Sequence, residues 1–311
     1  MWKTENITFS EGFVLLGLVR TASLQKIFFA LFLLIYSMTV MGNLLIISVI
    51  RLDSCLHKPM YYFLSNLSVL EIFYTTTITP NTLRNFLTED RSISFVGCFT
   101  QMFFFVALGG SECVLLTVMA FDRYIAICRP LLYSNYMNSL FCFQLSLLSY
   151  FVGSINSLTH TVFAAVLPYC KDHQIDHFFC DIPAVLKLSC RDTYLNELVS
   201  LLFGVVVVLG SLMLILVSYL YILSAVVNIR SMAGRPKAFS TCGSHVLVVT
   251  IFFGTIISTY MHPGSSSSSE QNRVLSIMYG IVTPLINPVI YSMRNIDFLK
   301  AIHKSVIKIK Y

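Results

Sequence analysis

An apolar stretch runs into MAFDRYIAIC (Met119 to Cys128) and closes on an acid and a base side by side, Asp122 and Arg123. Charges at the end of a segment otherwise fit for a bilayer are costly and mark functional positions. Counting back from Arg123 to Cys98 gives about 37 Å of helix at 1.5 Å per residue. That exceeds the roughly 30 Å hydrocarbon core. One helix can therefore hold a thiol on the oxidising side and an Asp-Arg-Tyr switch (Asp122, Arg123, Tyr124) on the other. This geometry suits a chain that carries a signal across a membrane better than one that catalyses. The plain alternative for Arg123 is a helix-end arginine snorkelling to the interface.

Two further carboxylates, Glu71 and Glu112, fall inside apolar spans. At 100° per residue, Glu112 shares an inward stripe with Arg123, about three turns away. Buried together, two carboxylates cannot both stay charged without a cation or a shared proton. No catalytic constellation accompanies them: there is no nucleophile elbow, no P-loop and no His-Glu zinc helix, so no enzymatic activity is expected. His173, His177 and Cys180 in HQIDHFFC have the residue types of a metal site. Cys180 is the better disulfide partner, and no metal is expected there.

The elements that must position these groups follow from composition. Of 311 residues, 56% are hydrophobic and 12% charged, with a mean hydropathy of +0.76. A soluble domain carries about 25% charged residues, so this chain has too little polar surface to coat a globule in water. The basic residues are dispersed rather than clustered in a stripe, which argues against nucleic-acid binding. Hydropathy marks seven spans, at roughly 25–50, 58–86, 94–128, 138–166, 196–230, 236–262 and 271–293. The expected fold is an all-α integral membrane protein, a single seven-helix domain over 1–311. It has an outer N-terminal segment (1–24), a bundle (25–293) and a cytosolic tail (294–311). The tail puts Ile296, Leu299, Ile302, Val306 and Ile309 on one face and lysines on the other, a short amphipathic helix lying on the membrane. The first residues lack a continuous apolar core of the signal-peptide kind, so the first span is expected to serve as the targeting signal.

One set of loop ends carries twelve bases against three acids, the other nine bases and ten acids. The richer set belongs in the cytosol, which puts the amino terminus outside. Asn6-Ile7-Thr8 is a glycosylation sequon on that outer side. Ser265 to Ser269 face outside as a solvated loop. The cysteines divide the same way. Cys98, Cys170, Cys180 and Cys190 are outer; Cys55, Cys113, Cys128, Cys142 and Cys242 are in helices or cytosolic, where thiols stay reduced. Four outer cysteines allow three pairings, and the sequence alone does not choose among them.

The seven spans, the Asp-Arg-Tyr and NPVIY (Asn287 to Tyr291) together resemble a rhodopsin-type G-protein-coupled receptor. More local strings narrow the resemblance. LHKPMYYFLSNLSVLE (Leu56 to Glu71), MAFDRYIAICRPL (Met119 to Leu131), Ser218-Tyr219, KAFSTCGSH (Lys237 to His245) and PLINPVIYSMRN (Pro284 to Asn295) occur in order across nearly the whole chain. Together they resemble an olfactory receptor, of the class II branch. Two positions depart from that pattern. The family usually has Tyr where Phe121 stands and Phe-Tyr-Gly where Phe252-Phe253-Gly254 stands. The tryptophan that many non-olfactory receptors carry there is absent; the only one is Trp2.

The resemblance implies disulfides Cys98–Cys180 and Cys170–Cys190. It also implies an odorant as ligand, residence in the plasma membrane, and coupling to a heterotrimeric G protein of the stimulatory olfactory type. The expected switch comprises Asp122, Arg123, Tyr124, Tyr219, His245, Asn287, Pro288 and Tyr291. In it Asp122 and Arg123 satisfy each other at rest, and Arg123 is released toward Tyr219 when the sixth helix swings out. Asn43 and Asn287 join Glu71 and Glu112 as a candidate sodium site, with protonated carboxyls as the alternative. The expected pocket lies in the outer half. Its lining is Phe105, Val106, Gly109 and Gly110 of the third span; Phe203 and Val207 of the fifth; Phe253, Ile256, Ile257 and Tyr260 of the sixth; Ile277 of the seventh; and Ile182 hanging from the second outer loop. It is aromatic and aliphatic with one hydroxyl, Tyr260, so it suits a small, neutral, largely apolar volatile. A receptor for a lipid-like ligand is the rival. An amine receptor would want an acid where Phe105 stands. A transporter would show repeats and broken helices.

Overall fold

The structure, a computed structural model, describes residues 12–304 except 20, 171–172, 229–233, 261–268 and 294–297. The side chains of 234–241, 260, 269–270 and 292–293 also lie outside the described set. Asn6, Ile296, Val306, Ile309 and Ser265 to Ser268 therefore fall outside it, as does the side chain of Tyr260.

Seven long helices follow the seven hydropathy spans. They are α1 (Ala22–Leu52), α2 (Pro59–Leu87), α3 (Phe95–Cys128), α4 (Ser139–Ala165), α5 (Tyr194–Val227), α6 (Gly234–Tyr260) and α7, which comprises Ser269–Ile277, Met278–Val282 and Thr283–Met293. Local chemistry sets their starts. Pro59 opens α2 at the position where a missing N–H costs nothing. Ser94 accepts from Gly97 N at the start of α3, and Asn138 from Phe141 N at the start of α4. Six of the seven are long and apolar enough to cross a membrane by length and composition. The exception, α2, has the length but carries Glu71, Thr75 to Thr77, Thr79, Thr82 and Asn85, nearly all turned inward. Large apolar side chains on α1, α4 and α5, such as Leu34, Phe151 and Leu214, point outward, as lipid-facing surfaces do.

Two stretches are wound as π-helix, Val205–Leu209 in α5 and Met278–Val282 in α7. Such bulges often mark functional sites. In α7 the Thr283 hydroxyl donates to the Met278 carbonyl five residues back, at 3.0 Å, which fits the wider turn. The tightest seam joins α3 and α4. Gly110 meets the Cα of Gly153, and Ser157 Oγ donates to Phe103 O at 2.5 Å. Small residues at a seam let membrane helices approach closely.

Outside the bundle, three short strands form one sheet in the order β2-β1-β3: β1 (Phe13–Leu15), β2 (Ser92–Ile93) and β3 (Gln174–Ile175). β1 runs antiparallel to β2, with Phe13 opposite Ile93, and parallel to β3, with Val14 opposite Gln174. Phe13 and Leu15 are buried while Val14 faces out. The segment before α1 is thus built into a roof over this end of the bundle. At the other end, residues 298–304 form a helix, α8. Its buried face is Phe298, Ala301 and part of Ile302, packed on the base of the bundle, while Leu299 is exposed. This corrects the expected apolar face: the i, i+3, i+4 set built on the large Phe298 ring wins over the one built on Leu299. Lys304 Nζ lies 3.6 Å from Asp53 Oδ2.

Candidate functional site

At the end of the bundle opposite the strands, Asp122 and Arg123 are both buried, yet among the described residues no ion pair joins them. Adjacent helical residues point about 100° apart and do not face each other. Asp122 instead accepts the Tyr133 hydroxyl at 2.8 Å, from the turn Tyr133–Tyr136 after α3. The expected local pair is thereby corrected. Arg123 projects into the bundle, within electrostatic reach of Tyr219, Cys242, His245 and Tyr291. Tyr124 turns aside and packs against Tyr221 of α5.

Above Arg123, His245 of α6 ties three helices together. Its Nε2 lies 3.0 Å from the Leu116 carbonyl of α3, and its Nδ1 lies 2.9 Å from the Tyr219 hydroxyl of α5. A carbonyl can only accept, so Nε2 carries the proton; in the neutral ring Nδ1 then accepts from Tyr219. Moving α6 outward breaks both bonds at once and frees the Tyr219 hydroxyl beside Arg123. A β-carbon added to Gly42 of α1 would lie 3.4 Å from the Pro288 ring of α7, so the two helices touch closely there.

Midway up the bundle, Glu71, Glu112, Asn43 and Asn287 are all buried. Asn287 Nδ2 donates to Glu71 Oε1 at 2.5 Å, and Glu112 and Asn43 also act on the Glu71 carboxylate. Among the described residues, three oxygens of this set have no hydrogen-bond partner: Asn43 Oδ1, Glu71 Oε2 and Glu112 Oε1. Orphaned, buried, partly anionic oxygens are the donor set a hard cation takes, so the residues present fit a sodium ion. Tyr291, whose hydroxyl is also unpaired, sits within electrostatic reach of both carboxylates and of Arg123.

In the outer half, the expected lining divides between two apolar clusters. Phe105, Val106 and Ile277 belong to an upper cluster with Tyr74, Phe179 and Tyr279; the Phe105 ring stacks on Tyr74 at 4.9 Å. Val207, Phe253, Ile256 and Ile257 belong to a lower one. Leu108 touches both clusters, one turn above Glu112. Gly109 faces the Tyr74 ring. Phe203 packs edge-on against His160 of α4. Two residues are placed elsewhere. Gly110 faces the backbone of α4 rather than the bundle axis: a β-carbon there would lie 3.2 Å from the Gly153 Cα. Ile182 packs into the loop core around Cys98 and Cys180 rather than hanging toward a ligand, because it opens the helical turn Ile182–Leu186.

The second outer loop roofs this half. Cys98 is bonded to Cys180, and Cys170 to Cys190. Gln101 Oε1 accepts Cys180 N. His177 is buried in the loop, its Nδ1 accepting Phe179 N, so Nε2 donates to Ser276 Oγ at 3.2 Å. Ser276 donates its own proton to Asn272 O and accepts the Tyr279 hydroxyl. Burial and the nearby Arg273 charge push His177 down to about 3, so the ring is neutral at ordinary pH. With both His177 nitrogens used, and Cys180 in a disulfide, these two residues of the string form a structural node.

A family model described as olfactory receptor matches residues 32–310. Among curated proteins, the chain is 49% identical over 305 residues to human (Homo sapiens) olfactory receptor 8I2, covering 97% of this chain and 98% of that one. It is 47% identical over 302 residues to mouse (Mus musculus) olfactory receptor 5AP2, covering 97% and 95%. The chain belongs to the olfactory receptor family. This receptor is accordingly a multi-pass membrane protein of the G-protein-coupled class, and the seven helices are its seven-span bundle.

The two departures from the family's usual residues fall in apolar surroundings in this receptor. Phe253 is fully buried, edge-on to Phe252, and Phe121 packs against the lower cluster beside Tyr124. Several residues that shape the outer half were not singled out from the sequence: Tyr74, Leu108, His160, Ser276 and Tyr279. They are ordinary helix residues whose importance comes from partners far along the chain. His177 did carry a signal, as part of the string with the residue types of a metal site.

Proposed function

We propose that this receptor binds a small, neutral, largely apolar volatile in the outer half of the bundle and activates a heterotrimeric G protein of the stimulatory olfactory type, raising cyclic AMP. It works in the plasma membrane with its amino terminus outside and its tail in the cytosol. The observation that carries the reading is the single helix α3. Phe105 and Val106 sit in the aromatic cluster at its outer end, Leu108 bridges to the lower cluster, and Arg123 lies buried at its cytosolic end under the His245–Tyr219 tie. A ligand that wedges between the two clusters acts on α3 and α6 together, and the His245 bonds give at the far end. The pocket residues are Phe105, Val106, Gly109, Phe203, Val207, Phe253, Ile256, Ile257, Tyr260 and Ile277, with the Tyr260 hydroxyl as a polar anchor. The walls are apolar, so shape and burial dominate affinity.

The set Asn43, Glu71, Glu112 and Asn287 would hold a sodium ion. Bound there, the ion supplies one positive charge between two buried carboxylates and so favours the packed, resting bundle.

A cyclic AMP assay of surface-expressed receptor against an odorant panel tests the reading. Arg123→Ala should abolish the ligand-driven rise while surface expression stays measurable, because the residue lies far from the ligand. Full signalling by a well-expressed variant would overturn it. Replacing sodium by choline at fixed pH should lower the melting temperature of wild type but not of Glu112→Gln. Equal melting of wild type in both salts would assign the carboxyl pair to a proton.

A further inference from the structure

A second feature of the outer face lies away from the ligand pocket. Between the end of α2 and the roof is a cleft lined by Gly17, Leu18, Val19, Thr82, Asn85, Phe86, Arg91 and Phe178. The space that the centre of a water-sized sphere can reach inside it is only about 10 Å³. Drug-sized ligands need roughly 300–1,000 Å³, so the cleft suits something smaller.

Its polar chemistry is one-sided. Asn85 is 5% exposed. Arg84 Nη2 lies 3.4 Å from one end of its amide; a guanidinium only donates, so that end is the oxygen. The amide nitrogen is thereby turned away, and among the described residues Asn85 Nδ2 has no hydrogen-bond partner. The Thr82 hydroxyl already donates to Ile78 O. Arg91 spends one nitrogen on the Leu16 carbonyl at 3.0 Å, a neutral acceptor.

Charge around the cleft does not balance. Arg273 pairs with Asp176 at 3.3 Å. Arg84, which also donates to Ser92 O, has Asp90 within electrostatic reach. Among the described residues Arg91 has no carboxylate. Among the described residues, one guanidinium and one orphaned amide donor therefore share a small cleft with a single uncompensated positive charge. A buried donor left unpaired costs about 1–3 kcal/mol, and a monovalent anion would relieve both deficits.

We propose that this cleft binds one small monovalent anion of chloride size, held by Asn85 Nδ2 and the Arg91 guanidinium. The anion joins three segments that meet there: the N-terminal segment after β1, the outer end of α2 and the second outer loop. The outer medium is rich in chloride, so the site is a stabilising ion site of the roof, separate from any cation between the carboxylates.

The test uses full-length receptor purified in detergent with its disulfides intact. Thermal unfolding is followed at fixed sodium and fixed ionic strength while chloride is exchanged for gluconate, which is too large for the cleft. Chloride should raise the melting temperature in a saturable way, by about 2–4 °C at tenfold excess over its dissociation constant, and bromide should substitute. Asn85→Leu and Arg91→Gln should each lose the chloride-dependent rise, whatever their own baseline. Coincident chloride and gluconate curves for wild type would overturn the proposal and leave the cleft to water. So would a chloride effect that persists in both variants, since it would then arise elsewhere. The wild-type comparison needs no variant to fold.

Discussion

Replacing Gly153 with alanine should separate α3 from α4 and keep the receptor from the cell surface. A β-carbon at Gly153 would lie 2.5 Å from Ser111 N and closer still to Ser111 Oγ and Ala107 O. Ordinary contact begins near 3.4 Å, so the helices must part by about 1 Å. Two of the three atoms met are backbone and cannot rotate away. Overpacking of this kind costs about 1–3 kcal/mol. The displacement also strains the Ser157–Phe103 hydrogen bond across the same seam, worth about another 0.5–1.5 kcal/mol. A loss of about 1.5–4.5 kcal/mol is a large share of the roughly 5–15 kcal/mol that holds a typical domain together. Flow cytometry of an outer epitope tag and the melting temperature in detergent would both read it. Ser111→Ala should rescue little, because it removes only the side-chain clash. Gly110→Ala should be milder, meeting the Gly153 Cα at 3.2 Å, and Gly109→Ala milder still, meeting only the Tyr74 ring at 3.6 Å. Wild-type surface level and melting for Gly153→Ala, or full rescue by Ser111→Ala, would refute the steric account.

Cys98→Ser and Cys180→Ser should each block surface delivery, with the double variant no worse than either single one, since they share one bond. The loop closed by that pair spans 82 residues against 20 for Cys170–Cys190, so on loop entropy its loss costs about 4.5 kcal/mol against about 3. Surface labelling should rank the two pairs in that order. His177 is held neutral in the fold with its pKa near 3, against 6.5 when free. The unfolded chain therefore binds the proton first, and stability falls as pH drops from 6.5 toward 3, by about 2 kcal/mol at pH 5. Melting curves of wild type should show this drop, and His177→Gln should flatten it; an equal slope in both would mean that another group titrates.

The helices were the legible part. Spans read from hydropathy agree with the observed ends to within a few residues, because a bilayer-length apolar run has few other ways to satisfy its backbone. The expected disulfides came from resemblance rather than spacing, and both are present. The roof was not legible. Strands of two or three residues carry no readable period, and Phe13 and Leu15 gain their burial from partners in two distant loops. Helical phase placed Glu112 and Arg123 inside together, yet it could not show that Gly110 belongs to the α4 seam, because Gly153 sits on another helix. The direct contact expected between Asp122 and Arg123 is absent, with Arg123 acting on that carboxyl through charge alone, and the tyrosine that bonds it comes from a turn whose path no periodicity fixes.

The parallel pairing of Val14 with Gln174 has a consequence for the order in which the chain can be completed. The first strand is made early, yet its neighbour follows about 160 residues later. At about 5–20 residues per second of synthesis, that interval is roughly 8–32 s. Throughout it Leu15 lacks its Ile175 partner and one edge of β1 stays unpaired, a state prone to wrong association. The beginning of the polypeptide is thus among the last pieces to find its place.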